Sequence, residues 1–292
     1  MRATLSFLRP LSPAYRHLGI AVPGFPDEVS AGRFIMLRPP WVGDPYLPRA
    51  FSIYRRSQTA DGTPVVEILL KLVGKGTRLL AELSPGQPLE LLGPLGNAFT
   101  PPPAGATAVL VAGGVGVPPL AAFAAQIRNP KSEIRHCAVF LGGKTAEDIL
   151  CVDDFRALGI EPHITTEDGS LGTRGLITDL LGPYLIGPPL TTHHSPLTAY
   201  TCGPPGMLAA VARLAETHAL PCQVSVEANM ACGFGACMGC AIEMRSAGPG
   251  RRYSLVCQDG PIFDAREIAW DRTGRAPGAE HRAGRGCGCH ES

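Results

Sequence analysis

Four cysteines, Cys232, Cys237, Cys240 and Cys257, carry the strongest chemical signal in the sequence. Four residues separate Cys232 from Cys237, two separate Cys237 from Cys240, and sixteen separate Cys240 from Cys257. This C-x4-C-x2-C...C pattern is the spacing of thiolates that hold a two-iron, two-sulfide cluster. A loop wrapping such a core in so short a span needs positive backbone angles and small side chains, so that N–H groups approach the sulfurs. Gly233, Gly235, Ala236 and Gly239 supply them. Four thiolates also make a structural zinc site, and zinc stays open as the alternative, although such sites usually carry C-x2-C pairs at both ends. The other cysteines read differently. Cys137, Cys151 and Cys222 fit as small buried hydrophobes, and Cys287, Cys289 and His290 as an incidental terminal group.

Further residue sets point to nucleotides. Arg49, Ala50, Phe51 and Ser52 end one β-rich run, and Gly74, Lys75, Gly76 and Thr77 open a short helical one. Together they offer a guanidinium fork, backbone amides at a helix start and a hydroxyl, groups that suit a diphosphate and the edge of a flavin ring. Residues 109–112 then run into Gly113, Gly114 and Gly116 with Pro118 and Pro119, a strand, glycine turn and helix start of the kind at which an open α/β sheet binds nucleotides. Cys202, Gly203 and Pro204 form a second such turn, so both are expected at one carboxyl edge for NAD. Between them, Glu167 and Asp168 offer carboxylates suited to ribose hydroxyls and hostile to a 2′-phosphate.

These groups need a frame. Short β-rich runs at 33–37, 50–54, 65–72 and 89–92, separated by Gly and Pro turns, predict a small antiparallel β-barrel over residues 1–102. A helical turn at 77–83 is expected within it, capped by Thr77 and ended by Pro85 and Gly86. Over residues 103–220 strands and helices alternate, which predicts a Rossmann-like α/β domain with a parallel sheet. Residues 221–268 read as a small Cys- and Gly-rich unit stapled by its ligand, and 269–292 as a disordered polar tail.

Composition excludes several functions. With 292 residues and 45% hydrophobic content the chain buries ordinary cores, and 26 basic against 25 acidic residues leave no electrostatic attraction for nucleic acid. Aromatics at 6% offer no stacking platform for single strands either. Residues 106–127 carry no charge and match a membrane span in length, but Gly113, Gly114, Gly116, Pro118 and Pro119 break that run, so no membrane is expected. The first residues, with Arg2, Arg9 and early prolines, do not form a signal peptide, which points to a reducing cytoplasm. His17, His136, His163, His193, His194, His218 and His281 are scattered and compose no acid–base set for an organic substrate.

Taken in order, the segments RAFS, GKGT, AGGVGVPPL, EDGS and CGPPGM resemble the ferredoxin-NADP reductase superfamily. With the downstream cysteines, residues 1–268 are similar to the electron-transfer subunits of NAD-dependent (class 1B) dihydroorotate dehydrogenase. The resemblance implies FAD on the barrel, held by Arg49, Ala50, Phe51, Ser52, Leu69, Leu70, Lys71, Gly76 and Thr77. It implies NAD(H) on the α/β domain and one 2Fe-2S cluster on Cys232, Cys237, Cys240 and Cys257. It further implies a partner, the FMN-containing catalytic subunit, in a heterotetramer of two plus two, with electrons passing from reduced FMN through cluster and FAD to NAD+ in pyrimidine biosynthesis. Met230, Phe234 and Met238 would form the apolar docking face. Two rivals stay open: a FAD/2Fe-2S subunit of an electron-bifurcating ferredoxin:NADP oxidoreductase or sulfhydrogenase, and a non-enzymatic zinc-stapled regulatory module.

Overall fold

The computed structural model describes residues 1–39, 44, 46–128, 134, 136–187, 196–246 and 252–270. Residues 271–292, and with them the expected tail, Cys287, Cys289, His290 and His281, lie outside the described residues, as do His193 and His194.

Seven strands build the first sheet: β1 (Arg2–Pro10), β2 (Tyr15–Ala21), β3 (Phe34–Arg38), β4 (Arg49–Ser52), β5 (Arg55–Gln58), β6 (Pro64–Lys71) and, after helix α1 (Lys75–Ala81), β7 (Pro88–Leu95). Their order is β4-β3-β7-β1-β2-β6-β5, every pair antiparallel. Alternation drives the curl: in β7, Leu89 and Leu91 are buried while Pro88, Glu90 and Leu92 face out. The buried set, including Leu5, Leu18, Ile20, Ile35, Leu37, Val66 and Ile68, fills the inside. Curling also brings β4 beside β6, as a barrel requires.

Helix α1 corrects one expectation. It starts at Lys75, so Thr77 sits inside its first turn and does not cap it from outside. The threonine still satisfies the helix start, because its Oγ1 accepts the N–H groups of Val73 (3.1 Å) and Gly74 (3.2 Å).

The second sheet comprises β8 (Thr107–Gly113), β9 (His136–Gly143), β10 (His163–Thr166), β11 (Thr173–Arg174), β12 (Leu197–Cys202), β13 (Cys222–Ser225) and β16 (Ile262–Asp264), with a β14 (Ala241–Met244) and β15 (Arg252–Leu255) hairpin between the last two. Helices α2 (Val117–Ile127), α3 (Val152–Ala157), α4 (Ile177–Ile186) and α5 (Pro205–Thr217) connect the strands. Strand order is β11-β10-β9-β8-β12-β13-β16, parallel except for β16 against β13. All seven residues of β8 are buried, the continuous apolar run that a strand covered on both faces needs. The uncharged stretch 106–127 is therefore β8, a 3-10 turn and α2. No helix among the described residues is long and apolar enough to cross a membrane.

The sheet does not stop at the boundary expected at Leu220. Cys222–Ser225 pairs in parallel with β12, and Ile262–Asp264 closes the edge. The cysteine unit is thus an insertion between two strands of the second sheet. Strands of three and four residues carry too little alternation to stand out in a sequence. Asn97, leaving β7, stitches this segment to the barrel: its Nδ2 donates to the carbonyls of Asp259 (3.0 Å) and Ile262 (2.8 Å), and its Oδ1 accepts the N–H of Ile262 (2.9 Å).

Candidate functional site

A cavity of about 790 Å3 opens between the barrel and the carboxyl edge of the second sheet, within the size range of cofactor pockets. Barrel residues Arg49, Ala50, Phe51, Ser52, Leu69, Leu70, Lys71 and Thr77 line one side. Val115 and Pro118, at the turn before α2, and residues 225–230, beyond β13, line the other. Of the residues expected to contact a flavin, Gly76 alone is absent from the wall. A Cβ there would stand 2.8 Å from Nε of Arg49, so the guanidinium lies directly over the helix start and would have to shift to admit a larger residue. The buried leucines and the polar groups of Arg49, Ser52, Lys71 and Thr77 suit a ligand with a flat apolar part and an anionic part.

The two glycine turns meet at the point where strand order reverses, between β8 and β12. Much of the glycine content serves that meeting. A Cβ on Gly116 would lie 2.5 Å from the carbonyl oxygen of Cys202, and one on Gly113 would lie 2.6 Å from Sδ of Met207. Gly113, Gly116, Pro119, Cys202 and Gly203 are buried, whereas Gly114, Val115 and Pro204 retain exposure. The turns expected to touch NAD directly therefore pack against each other, leaving Gly114 and Val115 accessible at the crest of the first and Pro204 on the second.

Glu167 and Asp168 follow β10, two strands from β8 and about 10 Å away at ordinary strand spacing, on the same carboxyl edge. They are not equivalent. Asp168 Oδ1 accepts both the N–H (2.9 Å) and the hydroxyl (2.6 Å) of Ser170, whose Oγ in turn accepts the N–H of Ala146 (2.8 Å). The bonds from Ser170 hold the Asp168 carboxyl below the usual carboxylate range. Both side chains are exposed, but Asp168 is engaged with Ser170 in shaping the turn, and Glu167 stands beside it.

The cysteines fall into two pairs. Sγ of Cys240 and Cys257 lie 3.2 Å apart, both buried, and Cys257 Sγ accepts the N–H of Gly235 at 3.1 Å. Cys232 and Cys237 make the second pair, linked by a side-chain contact. Backbone N–H groups, that of Phe234 first, pull the Cys232 thiol down to about 6, whereas burial, with Cys240 beside it, pushes Cys257 up to about 12. Gly233 and Gly235 have the expected positive φ, +84° and +89°. The third such residue is Met238 at +59°, where Gly239 had been expected. Gly233 has a second reason to be glycine: a Cβ would stand 2.5 Å from Cγ of Met36 on β3, so the loop rests directly on the barrel. Among the described residues no three His, Cys, Asp or Glu side chains converge where one ion would sit.

Two features of the wall carry no sequence motif. Ser225 to Met230 enter it because β13 ends at the same carboxyl edge as β12. Within that stretch, Glu227 is exposed on the cavity, and desolvation by the walls around it pushes its carboxyl up. The second lies behind the wall: the buried carboxylate Asp148, itself outside the lining, accepts from the ammonium of the wall residue Lys71 at 2.7 Å. The apolar residues Phe234 and Met238 stand exposed on the cysteine loop, and Met230 is partly buried in the cavity wall.

Comparison with known proteins matches residues 227–269 to the iron-sulfur cluster binding domain of dihydroorotate dehydrogenase B, and residues 110–213 to an oxidoreductase NAD-binding domain. The chain is similar to the dihydroorotate dehydrogenase B (NAD(+)) electron transfer subunit of Enterococcus faecalis, 34% identical over 91% of this chain and 96% of that protein. The subunit of the same name from Bacillus caldolyticus is 36% identical over 81% and 86%, and that from Desulforamulus reducens 32% identical over 82% and 87%. Among solved structures, one described as an NADH-dependent reduced ferredoxin-NADP oxidoreductase superposes with a TM-score of 0.75, covering 92% of this chain and 90% of that one. At 22% identity that likeness is one of fold.

Proposed function

The chain belongs to the family of dihydroorotate dehydrogenase B (NAD(+)) electron transfer subunits, and we propose that it joins a flavin site, a cluster site and a nicotinamide site into one relay serving a separate catalytic subunit. Bound FAD supplies exchange between hydride and single electrons, and a 2Fe-2S cluster supplies the one-electron steps. The protein's part is to hold these groups in line. Arg49 and Thr77 suit the diphosphate, and Phe51, Ser52, Leu69, Leu70 and Lys71 the ring and its edge. Gly114 and Val115 at the turn crest, with Glu167 farther along the sheet edge, suit a dinucleotide lying across the carboxyl ends of β8 to β10.

The continuity of the cavity wall carries this reading. Residues 225–230 line the cavity and run directly into the loop that begins with Cys232, so the flavin and cluster sites share one segment of chain. The donor set fits a two-iron cluster: thiols in two pairs match two metal centres, whereas a zinc tetrahedron needs four ligands around one point. Cys232, Cys237, Cys240 and Cys257 are accordingly assigned as the cluster ligands. The family relatives favour this function over the bifurcating oxidoreductase.

By this reading the barrel takes FAD, the second sheet takes NAD(H), and the insertion between β13 and β16 takes the cluster. An FMN-bearing dihydroorotate dehydrogenase subunit docks over that insertion, two of each chain per complex, in a reducing cytoplasm suited to free thiolates. Purification with native partners, followed by flavin, iron, sulfide and subunit analysis, tests it. FAD, iron with labile sulfide, and a copurifying FMN protein are expected. Colourless protein with bound zinc would overturn the reading.

A further inference from the structure

Outside every nucleotide motif, the connector between β9 and β10 carries two carboxylates that reach the barrel in the same manner. Asp148 Oδ1 accepts the hydroxyl of Tyr15 on β2 (2.5 Å) and the ammonium of Lys71 at the end of β6 (2.7 Å), while its Oδ2 accepts the N–H of Lys144 (3.1 Å). Asp154, on α3, accepts the hydroxyl of Tyr54 and the guanidinium of Arg55. Each fastening thus comprises one tyrosine and one cation from the barrel on one aspartate from the nucleotide sheet.

The two differ in their surroundings. Neither Tyr54 nor Arg55 lines the cavity, whereas Lys71 does. The hydroxyl of Tyr15 stands 3.8 Å from where a Cβ on Gly114 would be, so the Asp148 group also touches the crest of the glycine turn. The Asp148 side chain is only 11% exposed. Burial would push its carboxyl up, but bonds from Lys71 and Tyr15 more than offset this and hold it low, while burial and Asp148 push Tyr15 up to about 12. Near neutral pH the group is therefore a carboxylate, an ammonium and a neutral phenol.

We propose that Asp148 is a positioning residue of the relay: held by Tyr15 and Lys71, it fixes how the nucleotide sheet meets the barrel and sets the charge that Lys71 presents to the redox cofactor in the cavity. Asp154 is the purely mechanical fastening. The inference rests on the flavin reading of the cavity. An ammonium paired with a carboxylate presents little net charge, whereas an unpaired one favours the more electron-rich, reduced form of a neighbouring ring.

Asp148→Asn keeps the shape and removes the charge. In the cofactor-loaded chain it should raise the flavin midpoint potential, measured by equilibration with a reference dye, and raise KM for NADH several-fold. Asp148→Glu, which keeps the charge, should return the potential toward the native value, and Asp154→Asn should leave the potential in place. If Asp148→Asn does not fold, Lys71→Gln decides, and the potential must fall. An unmoved potential in Asp148→Asn, or in Lys71→Gln where that variant decides, with flavin still bound, overturns the inference while sparing the flavin reading. An equal rise in Asp154→Asn overturns it as well. A native chain that binds no flavin overturns the reading on which it rests.

Discussion

Cys240 and Cys257 lie close enough to serve one iron, so losing either leaves that iron with an open position and a labile cluster. Cys257→Ala should strip most iron and visible cluster absorption while FAD stays bound, whereas Cys222→Ala, altering a core residue of β13, should leave iron content unchanged. Gly116 is a different kind of residue. A methyl there meets backbone at 2.5 Å, which cannot swing aside, so Gly116→Ala should cost roughly 1–3 kcal/mol and lower Tm by several degrees in a thermal melt. Glu227 gives a pH signature. Its folded pKa is raised, so between the ordinary carboxylate value near 4.3 and its folded value the native state binds more protons than the unfolded state, and stability falls as pH rises. Melting curves for Glu227→Gln should lack that decline; parallel Tm-versus-pH curves for the two proteins would refute it.

Elements were unequally legible. The end of the strand Leu197–Cys202 is legible because Cys202 runs into a glycine and prolines. The four thiols were legible because all ligands lie within one segment. Asp148 was not, since its partners lie 133 and 77 residues away and no local spacing records them. The cavity wall beyond Ser225 escaped for the same reason: only the pairing of β13 with β12 brings it there. The turn after β10 lay between these cases. Its carboxylates are legible, but the engagement of Asp168 in shaping the turn depends on Ser170 and Ala146. Steady-state diaphorase assays should give a higher kcat/KM for NADH than for NADPH, with Glu167→Gln narrowing the gap. Equal values in the native chain would sink the proposed role of that turn.

For the whole molecule, division of labour is the decisive property. Flavin and nicotinamide sites lie on this chain, and no base is assigned to a dihydroorotate ring, so the chain alone should oxidise NADH with an artificial acceptor and leave dihydroorotate untouched. Adding the FMN-bearing subunit should create dihydroorotate:NAD activity. Phe234→Glu, on the exposed face of the cysteine loop where that side chain is 60% accessible, should weaken the complex and spare the diaphorase rate. Turnover of dihydroorotate by the lone chain would end the assignment.

The order of synthesis adds a constraint. Because β16 fills the last place in the nucleotide sheet, a ribosome must translate the whole cysteine loop before that sheet is complete. Until then β13 is an edge strand with unpaired backbone groups, an invitation to pair with other chains. In cells short of iron or sulfide, chains whose cysteine loop lacks its staple would hold that closing strand only by its pairing with β13 and by Asn97. Failed cluster assembly would then surface as aggregation of a nucleotide-binding sheet, a defect far from the metal.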